Sequence, residues 1–138
     1  MLTPGPCIRI LTNRKRKTVS TQTVHLIVEL TIYEEKFGAF EGIAQEMVAA
    51  SQNEPGTLGY DWYLSSDRRR SRLTETYKDA DALVTHFKGP AVQQLVPRLL
   101  EHSRLERFEV YGDPGPEATD MLKGFGAEVF QPWHLFSR

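Results

Sequence analysis

The sequence is poor in cysteine and has no long apolar run. Its only cysteine among 138 residues is Cys7, so an internal disulfide and a paired-cysteine zinc site are excluded, and a reducing, cytoplasmic setting is expected. Uninterrupted apolar runs such as Leu26–Val28 are far shorter than the roughly 20 residues that cross a bilayer. With 40% apolar and 25% charged residues, the composition indicates one globular domain.

The common catalytic and phosphate-binding motifs are also missing. The chain contains no GxGxxG, GxxxxGKS, GxxxxGKT, HExxH or GxSxG pattern. Its histidines, His25, His86, His102 and His134, are scattered without the spacing of metal ligands. We therefore expect neither a metal site nor a bound cofactor.

The net charge of −1 hides an uneven distribution. Of the 17 basic residues, five precede the first acidic residue, Glu29, which leaves 12 basic against 18 acidic residues in the rest of the chain. A body with excess acid is a poor partner for a nucleic-acid backbone. The basic run at 13–17 predicts that residues 1–22 form a mobile basic arm, with a transit peptide as the alternative.

The stretch VHLIVELTIY at 24–33 predicts a β-strand with two different faces. One face is wholly aliphatic and the other is mixed, since alternate side chains point to opposite sides of a strand. The mixed face carries His25, Ile27, Glu29, Thr31 and Tyr33. Helices should cover the aliphatic face, so the mixed face must meet solvent, a cavity or a second subunit.

The remaining chain predicts a β-α-β-β-α-β order, the ferredoxin-like α+β arrangement with an antiparallel sheet. Apolar periodicity and turn residues predict helices at 34–52, at 79–88 with Asp79 or Asp81 as its cap, and at 91–102, and strands at 60–64, 72–77 and 105–111. We place the domain at 23–111. Residues 112–138 form a C-terminal extension that should pack on the sheet edge or on a partner subunit.

Two stretches, EPGTLGY at 54–60 and TETYKDADALVTHF at 74–87, resemble the antibiotic biosynthesis monooxygenase domain. The resemblance rests on the Pro55-Gly56 turn, on Glu75 with an aromatic residue two positions later, and on His86. It implies a dimeric α+β barrel and therefore a homodimer. Members of this family include cofactor-independent quinol and anthrone oxygenases, haem-degrading enzymes and proteins without an established reaction.

His86 falls at the margin of the apolar stripe that Ala80, Leu83, Val84 and Phe87 form on the second helix. A histidine there can pack its ring while it hydrogen-bonds a strand or a carboxylate, and this structural role is the favoured interpretation. The alternative is acid–base or substrate-orienting chemistry, since the unperturbed pKa of imidazole lies nearest neutrality.

Glu75 interrupts an otherwise apolar-looking strand row that contains Leu73 and Tyr77. If this row faces a cavity, burial raises the pKa of Glu75 and makes it a candidate general base. A structural acid paired with His86 or an arginine is the alternative. His86 and Glu75 are thus the candidate catalytic residues.

Four other residues are candidates for substrate binding. His25 and Glu29 alternate on the mixed face of the first strand, as the lining of a cavity would, although a dimer contact or an exposed edge gives the same pattern. Trp62 and Tyr77 supply aromatic surface on neighbouring strands, where core or interface packing is the commoner role.

Three functions remain open. The first is a cofactor-free monooxygenase that acts on a small aromatic quinol or phenol in an apolar cavity, with His86 or Glu75 as its base. The second is a binding or interaction module without turnover, which an interior too full for an aromatic ring would favour. A haem-degrading enzyme is a minor third, because such relatives place an iron-binding histidine about where Val96 stands here.

Overall fold

A computed structural model describes residues 22–138, so the predicted basic arm lies, except for Gln22, outside the described residues. The strands are β1 (Val24–Ile32), β2 (Thr57–Leu64), β3 (Arg70–Tyr77), β4 (Ser103–Tyr111) and β5 (Glu128–Phe130). The α-helices are α1 (Phe37–Gln52), α2 (Ala80–Lys88), α3 (Val96–Leu99) and α4 (Gly115–Lys123), and a π-helical turn at Ala91–Leu95 leads into α3. Within 22–138, no helix has the length and apolar character needed to traverse a bilayer.

The strands form one five-stranded sheet in the order β2-β3-β1-β4-β5. The central strand β1 pairs antiparallel with β3 and β4, and β2 pairs antiparallel with β3. The ferredoxin-like α+β prediction is therefore confirmed. The short β5 pairs parallel with β4, so the sheet is not purely antiparallel, and it stays open within one chain.

The aliphatic face of β1 lies under the helices, as its alternation predicted. Val24, Leu26, Val28, Leu30 and Ile32 are all buried there. Because directly opposed residues of an antiparallel pair share a face, the register carries this buried row into the neighbouring strands. Leu26 stands opposite Glu75 of β3 and Val110 of β4, which puts the Glu75 carboxyl on the helix side of the sheet.

The second helix begins and ends where local chemistry requires. Asp79, rather than Asp81, is the N-cap of α2, and its carboxylate accepts a 2.9 Å hydrogen bond from the backbone amide of Ala82. The helix stops at Gly89, before Pro90, and the chain continues as the π-helical turn. The predicted helix at 91–102 is accordingly shorter and less regular than expected, because β4 already starts at Ser103.

The opposite face of the sheet carries more charge than the mixed pattern of β1 suggested. Glu29 lies between Arg72 and Arg107, with a guanidinium nitrogen of each 3.8 Å from its carboxylate. Toward the β5 edge, Tyr111 and Phe130 stack with ring centroids 5.2 Å apart. No helix of the described residues covers this face, which we call the open face.

The C-terminal segment adds to the sheet edge and then leaves the body. The α4 helix buries Ala118 and Leu122 in the same core cluster as α2, and β5 extends the sheet beside β4. Beyond β5, the side chains of Trp133, Leu135 and Phe136 are 86%, 65% and 79% exposed in a single chain.

A close approach of two backbones joins the turn after α1 to α2. Gly56 lies in this turn, its carbonyl accepts a 2.9 Å hydrogen bond from the amide of Lys78, and a Cβ at Gly56 would come 2.5 Å from the Cβ of Ala82. Only glycine permits this approach, so the turn residues, including Glu54, are set directly against the helix.

Gly56→Ala should lower the free energy of unfolding by about 1–3 kcal/mol, since the new methyl group overlaps Ala82. Urea unfolding of Gly56→Ala, Ala82→Gly and the double variant measures this, and the two changes should compensate each other in the double-mutant cycle. Gly42→Ala is the matched control, because a Cβ at Gly42 meets nothing within 4 Å. Strict additivity of the two changes would contradict the close contact.

Candidate active site

An apolar cavity of about 50 Å³ lies between the helix side of the sheet and the helices that cover it. Its walls are mainly aliphatic and phenyl groups, contributed by Val28, Met47, Leu73, Phe87, Val92, Leu99 and Phe108 among others. Tyr60, Trp62, Glu75 and His86, which carry polar groups, also line it. The cavity is thus built within one chain, whereas the mixed face of β1 had suggested a chamber on the other side of the sheet.

His86 is buried, with 2% of its surface exposed, and is held by a carboxylate from a distant turn. Its Nδ1 lies 2.8 Å from Oε1 of Glu54, which follows α1. The hydroxyl of Thr57 donates a 2.7 Å hydrogen bond to the same oxygen. The rings of Tyr60 and Tyr77 flank the imidazole, with centroids 5.4 and 5.2 Å away.

These contacts hold Glu54 in its ionised form. Burial by itself would raise the pKa of this carboxyl, yet the hydrogen bonds from His86 and Thr57 outweigh burial and leave the pKa lowered. A carboxylate only accepts hydrogen bonds, so Nδ1 of His86 must carry the proton between them. The other ring nitrogen, Nε2, lies on the side of Glu75, 3.8 Å from its Oε1.

Glu75 stands in the opposite electrostatic situation. It is 5% exposed, and burial raises its pKa, although the nearby imidazole of His86 and a hydrogen bond from the Tyr77 hydroxyl pull the pKa back in part. The negative charge of Glu54 adds to the rise. The hydroxyl of Tyr77, two residues further along β3 on the same face, donates this hydrogen bond to Oε1 of Glu75. The cavity is therefore lined by a carboxyl with a raised pKa, next to an imidazole that is hydrogen-bonded to an ionised carboxylate.

The structure separates the six residues that the sequence singled out. His86, Glu75 and Trp62 line the cavity, and Tyr77 stands behind Glu75 without reaching the cavity wall. The expected hydrogen-bond partner of His86 was a strand or a carboxylate such as Glu75, whereas the observed partner is Glu54, and Oε1 of Glu75 lies 3.8 Å from Nε2.

His25 and Glu29 lie on the open face and do not line this cavity. The ring of His25 is 3.2 Å from the hydroxyl of Thr76, and Glu29 pairs with Arg72 and Arg107. The physical reason is the two-residue period of the strand: these positions alternate with the buried row of β1 and so face away from the helices.

Two residues of the site were missed as site residues by sequence reasoning. Glu54 and Tyr60 are the first and last residues of the EPGTLGY stretch, in which the family resemblance rested only on the Pro55-Gly56 turn. The ring of Tyr60 lies against His86, and burial and the charge of Glu75 raise the pKa of its hydroxyl well above the ordinary value. The EPGTLGY stretch contained both residues, but nothing in it indicated that Glu54 would meet a helix histidine.

The donor set of the site does not suggest a metal. Within residues 22–138, no group of three or more His, Cys, Asp or Glu side chains is arranged to hold a metal ion. Val96, at the position where haem-degrading relatives would carry an iron ligand, contributes an aliphatic surface to the cavity.

Comparison with known proteins agrees with the fold. The family model described as antibiotic biosynthesis monooxygenase matches residues 23–98, and the chain belongs to this family. The match includes β1 to β3, α1, α2 and therefore Glu54, Glu75 and His86. No curated protein matches the chain.

Several solved structures share the architecture. MupZ from Pseudomonas fluorescens is 24% identical, with a TM-score of 0.70 over 85% of this chain and 95% of MupZ. A Bacteroides thetaiotaomicron protein of unknown function, described as a possible oxidoreductase, is 26% identical, with a TM-score of 0.62 over 67% of this chain and 99% of its own. SnoaB from Streptomyces nogalater, a cofactor-independent oxygenase, is 16% identical, with a TM-score of 0.59 over 69% of this chain and 96% of SnoaB.

Glu75→Gln should gain stability relative to the wild type as the pH rises. The folded state holds the proton of Glu75 more tightly than the unfolded chain does, so its contribution is lost as the pH rises from the unfolded pKa through the raised folded pKa. Glutamine cannot ionise and keeps an oxygen that can accept from Tyr77. Urea unfolding of both proteins from mildly acidic to mildly alkaline pH measures the difference.

Glu54→Gln is the matched control, because its stability relative to the wild type should change with pH in the opposite direction. The folded pKa of Glu54 is lowered, so its contribution is present above the unfolded pKa and is lost as the pH falls through the folded pKa. Its removal should therefore cost most at neutral pH. Parallel pH profiles for wild type and Glu75→Gln would show that Glu75 is not buried as a neutral acid.

Proposed function

We propose that this protein is a cofactor-independent monooxygenase that acts on a small aromatic quinol or phenol. The observation that carries the proposal is the hydrogen bond between Nδ1 of His86 and the ionised Glu54, with the rest of the imidazole at an apolar cavity. This pairing lets Nε2 accept a proton while Glu54 stabilises the imidazolium that results, an arrangement typical of general bases.

The first step is removal of a phenolic proton by Nε2 of His86. The resulting anion is electron-rich and, in a cavity with mainly apolar walls, is kept from water that would stabilise it. It then reacts with molecular oxygen. When a ring C–H para to the hydroxyl becomes a quinone carbonyl, one oxygen atom enters that carbonyl and the other leaves as water, so the substrate itself supplies the electrons.

Glu75 and Trp62 are proposed to orient the ring. A neutral Glu75 can donate a hydrogen bond to a second oxygen of the substrate, whereas an ionised one would repel the anion. Trp62 contributes an aromatic wall to the same cavity, and its indole nitrogen is buried without a hydrogen-bond partner among the described residues.

The size of the cavity favours a second candidate, a ligand-binding module without turnover. A volume of about 50 Å³ holds a few water molecules, whereas a cavity of about 150 Å³ is needed to enclose benzene in a protein core. A substrate ring would enter only if the side chains of the wall moved apart. If they do not, the cavity is packing space or takes a smaller molecule.

Oxygen uptake with a panel of quinols and phenols tests the proposal. The wild type should consume oxygen with at least one compound. His86→Ala should lower the rate by about 10²–10⁴-fold, and Glu54→Gln should lower it by a smaller factor. The order follows because Nε2 performs the transfer and Glu54 only supports it.

His134→Ala is the control, since His134 is exposed in the C-terminal segment, and it should keep the wild-type rate. Circular dichroism and thermal melting establish that each variant is folded. Uptake that is equal in wild type and His86→Ala would remove His86 from the mechanism. Binding of a quinol without any uptake would support the non-catalytic candidate.

We further propose that two copies pair through their open faces to form the dimeric barrel that the family resemblance implies. Support comes from a sheet that is open in one chain, and from alternating charges such as Glu29, Arg72 and Arg107 that a two-fold related copy can match. Tyr63, 58% exposed on this face, supplies apolar surface as well.

Sedimentation velocity should show a dimer at micromolar concentration for the wild type. Ile27→Asp should shift the protein to monomer, because Ile27 lies at the centre of the open face, opposite Thr74 and Glu109. Gln94→Asp adds the same charge on the exposed helix side and should remain dimeric. A wild-type monomer under these conditions would contradict the pairing.

A further inference from the structure

We infer that the same cavity also catalyses an oxygen-independent proton transfer, the isomerisation of a small, neutral β,γ-unsaturated ketone into its conjugated isomer, with His86 moving the proton and Glu75 donating a hydrogen bond to the carbonyl oxygen. The inference shares with the proposed function the assignment of His86 as a base, but it requires neither oxygen nor a phenolic substrate.

The geometry provides both halves of such a reaction in one small space. His86 and Glu75 both line the cavity, and Nε2 of His86 lies 3.8 Å from Oε1 of Glu75. Behind them, Glu54 holds Nδ1 of the ring and Tyr77 donates to Oε1 of Glu75, so each reacting group is oriented by a partner of its own. A base and a hydrogen-bond donor placed together are what enolisation of a ketone requires.

The electrostatics of the wall select the substrate class. No lysine or arginine is among the described residues that line the cavity, so an anionic substrate would find no counter-charge. A mainly apolar wall with one donor suits a neutral molecule with one acceptor, such as a ketone. Burial raises the pKa of Glu75, and donation to the carbonyl oxygen uses the protonated form of this carboxyl.

Each step balances without an oxidant or reductant. The C–H bond between the carbonyl and the alkene breaks, its proton goes to Nε2 of His86, and its electron pair spreads through a dienolate to the carbonyl oxygen. Glu75 hydrogen-bonds that oxygen without losing its proton. The proton on Nε2 then returns to the γ-carbon, which moves the double bond into conjugation and restores the neutral imidazole.

The test uses the acyclic ketone pent-4-en-2-one with the whole chain in oxygen-free buffer, and the rise of conjugated-ketone absorption gives the rate. As for a phenol, the side chains of the cavity wall must move apart to admit it. The wild type should accelerate the conversion over buffer, and His86→Gln should lower the enzymatic rate by about 10²-fold or more. Glu75→Ala should lower it by about 10²-fold, while Glu75→Gln, whose amide still donates, should keep most of it. In deuterated buffer, the γ-carbon should receive mainly the proton taken from the α-carbon, because the buried Nε2 returns it before it exchanges with solvent.

Glu46→Gln is the matched control, because Glu46 is paired with Arg98 on the surface and lies away from the cavity wall. The inference is overturned if the wild type does not accelerate the reaction, if His86→Gln keeps the full rate, or if Glu75→Ala and Glu75→Gln are equally active. Because no oxygen is present, failure here leaves oxygen uptake with quinols undisturbed, and failure of uptake leaves this reaction undisturbed.

Discussion

The hydrogen bond between His86 and Glu54 is the interaction on which the site depends. An imidazole buried among the rings of Tyr60 and Tyr77 needs a partner, since an unsatisfied polar group in such a place costs free energy of about 1–3 kcal/mol. Glu54 supplies that partner from a turn that reaches α2 only because Gly56 has no side chain. The backbone contact and the polar contact are therefore parts of one arrangement.

The pKa of Glu75 shifts in the opposite direction to that of Glu54. Burial of its carboxyl is the main cause of the rise, and the negative charge of Glu54 adds to it. The register of β1 with β3 puts Glu75 on the helix side, facing His86 instead of solvent. The pKa values of two carboxyls near one imidazole are thus shifted in opposite directions, as in many active sites that divide acid and base roles.

The parts of the structure that depend on local pattern could be predicted from the sequence. Alternation in β1, the cap at Asp79 and the break before Pro90 all concern neighbouring residues, so the order of elements was predictable. The parallel strand β5 was not, because a three-residue strand carries too little pattern to be recognised.

The site was only partly predictable. Glu75 and His86 stood out as polar residues in or beside apolar rows, and both line the cavity. Their relation to Glu54 could not be foreseen, since that contact joins residues 32 positions apart and depends on how a turn meets a helix. The side of the sheet that holds the cavity was predicted wrongly for a similar reason. The cavity results from how the helices pack on the sheet, and the residue pattern of a strand does not indicate this packing.

The most direct measurement of the central claim is a heteronuclear NMR spectrum that resolves the two ring nitrogens of His86. The account predicts a proton on Nδ1 that exchanges slowly with solvent, and that is lost or strongly shifted in Glu54→Gln but retained in Glu46→Gln. A neutral ring with its proton on Nε2 and a bare Nδ1, or a spectrum that Glu54→Gln leaves unchanged, would contradict it.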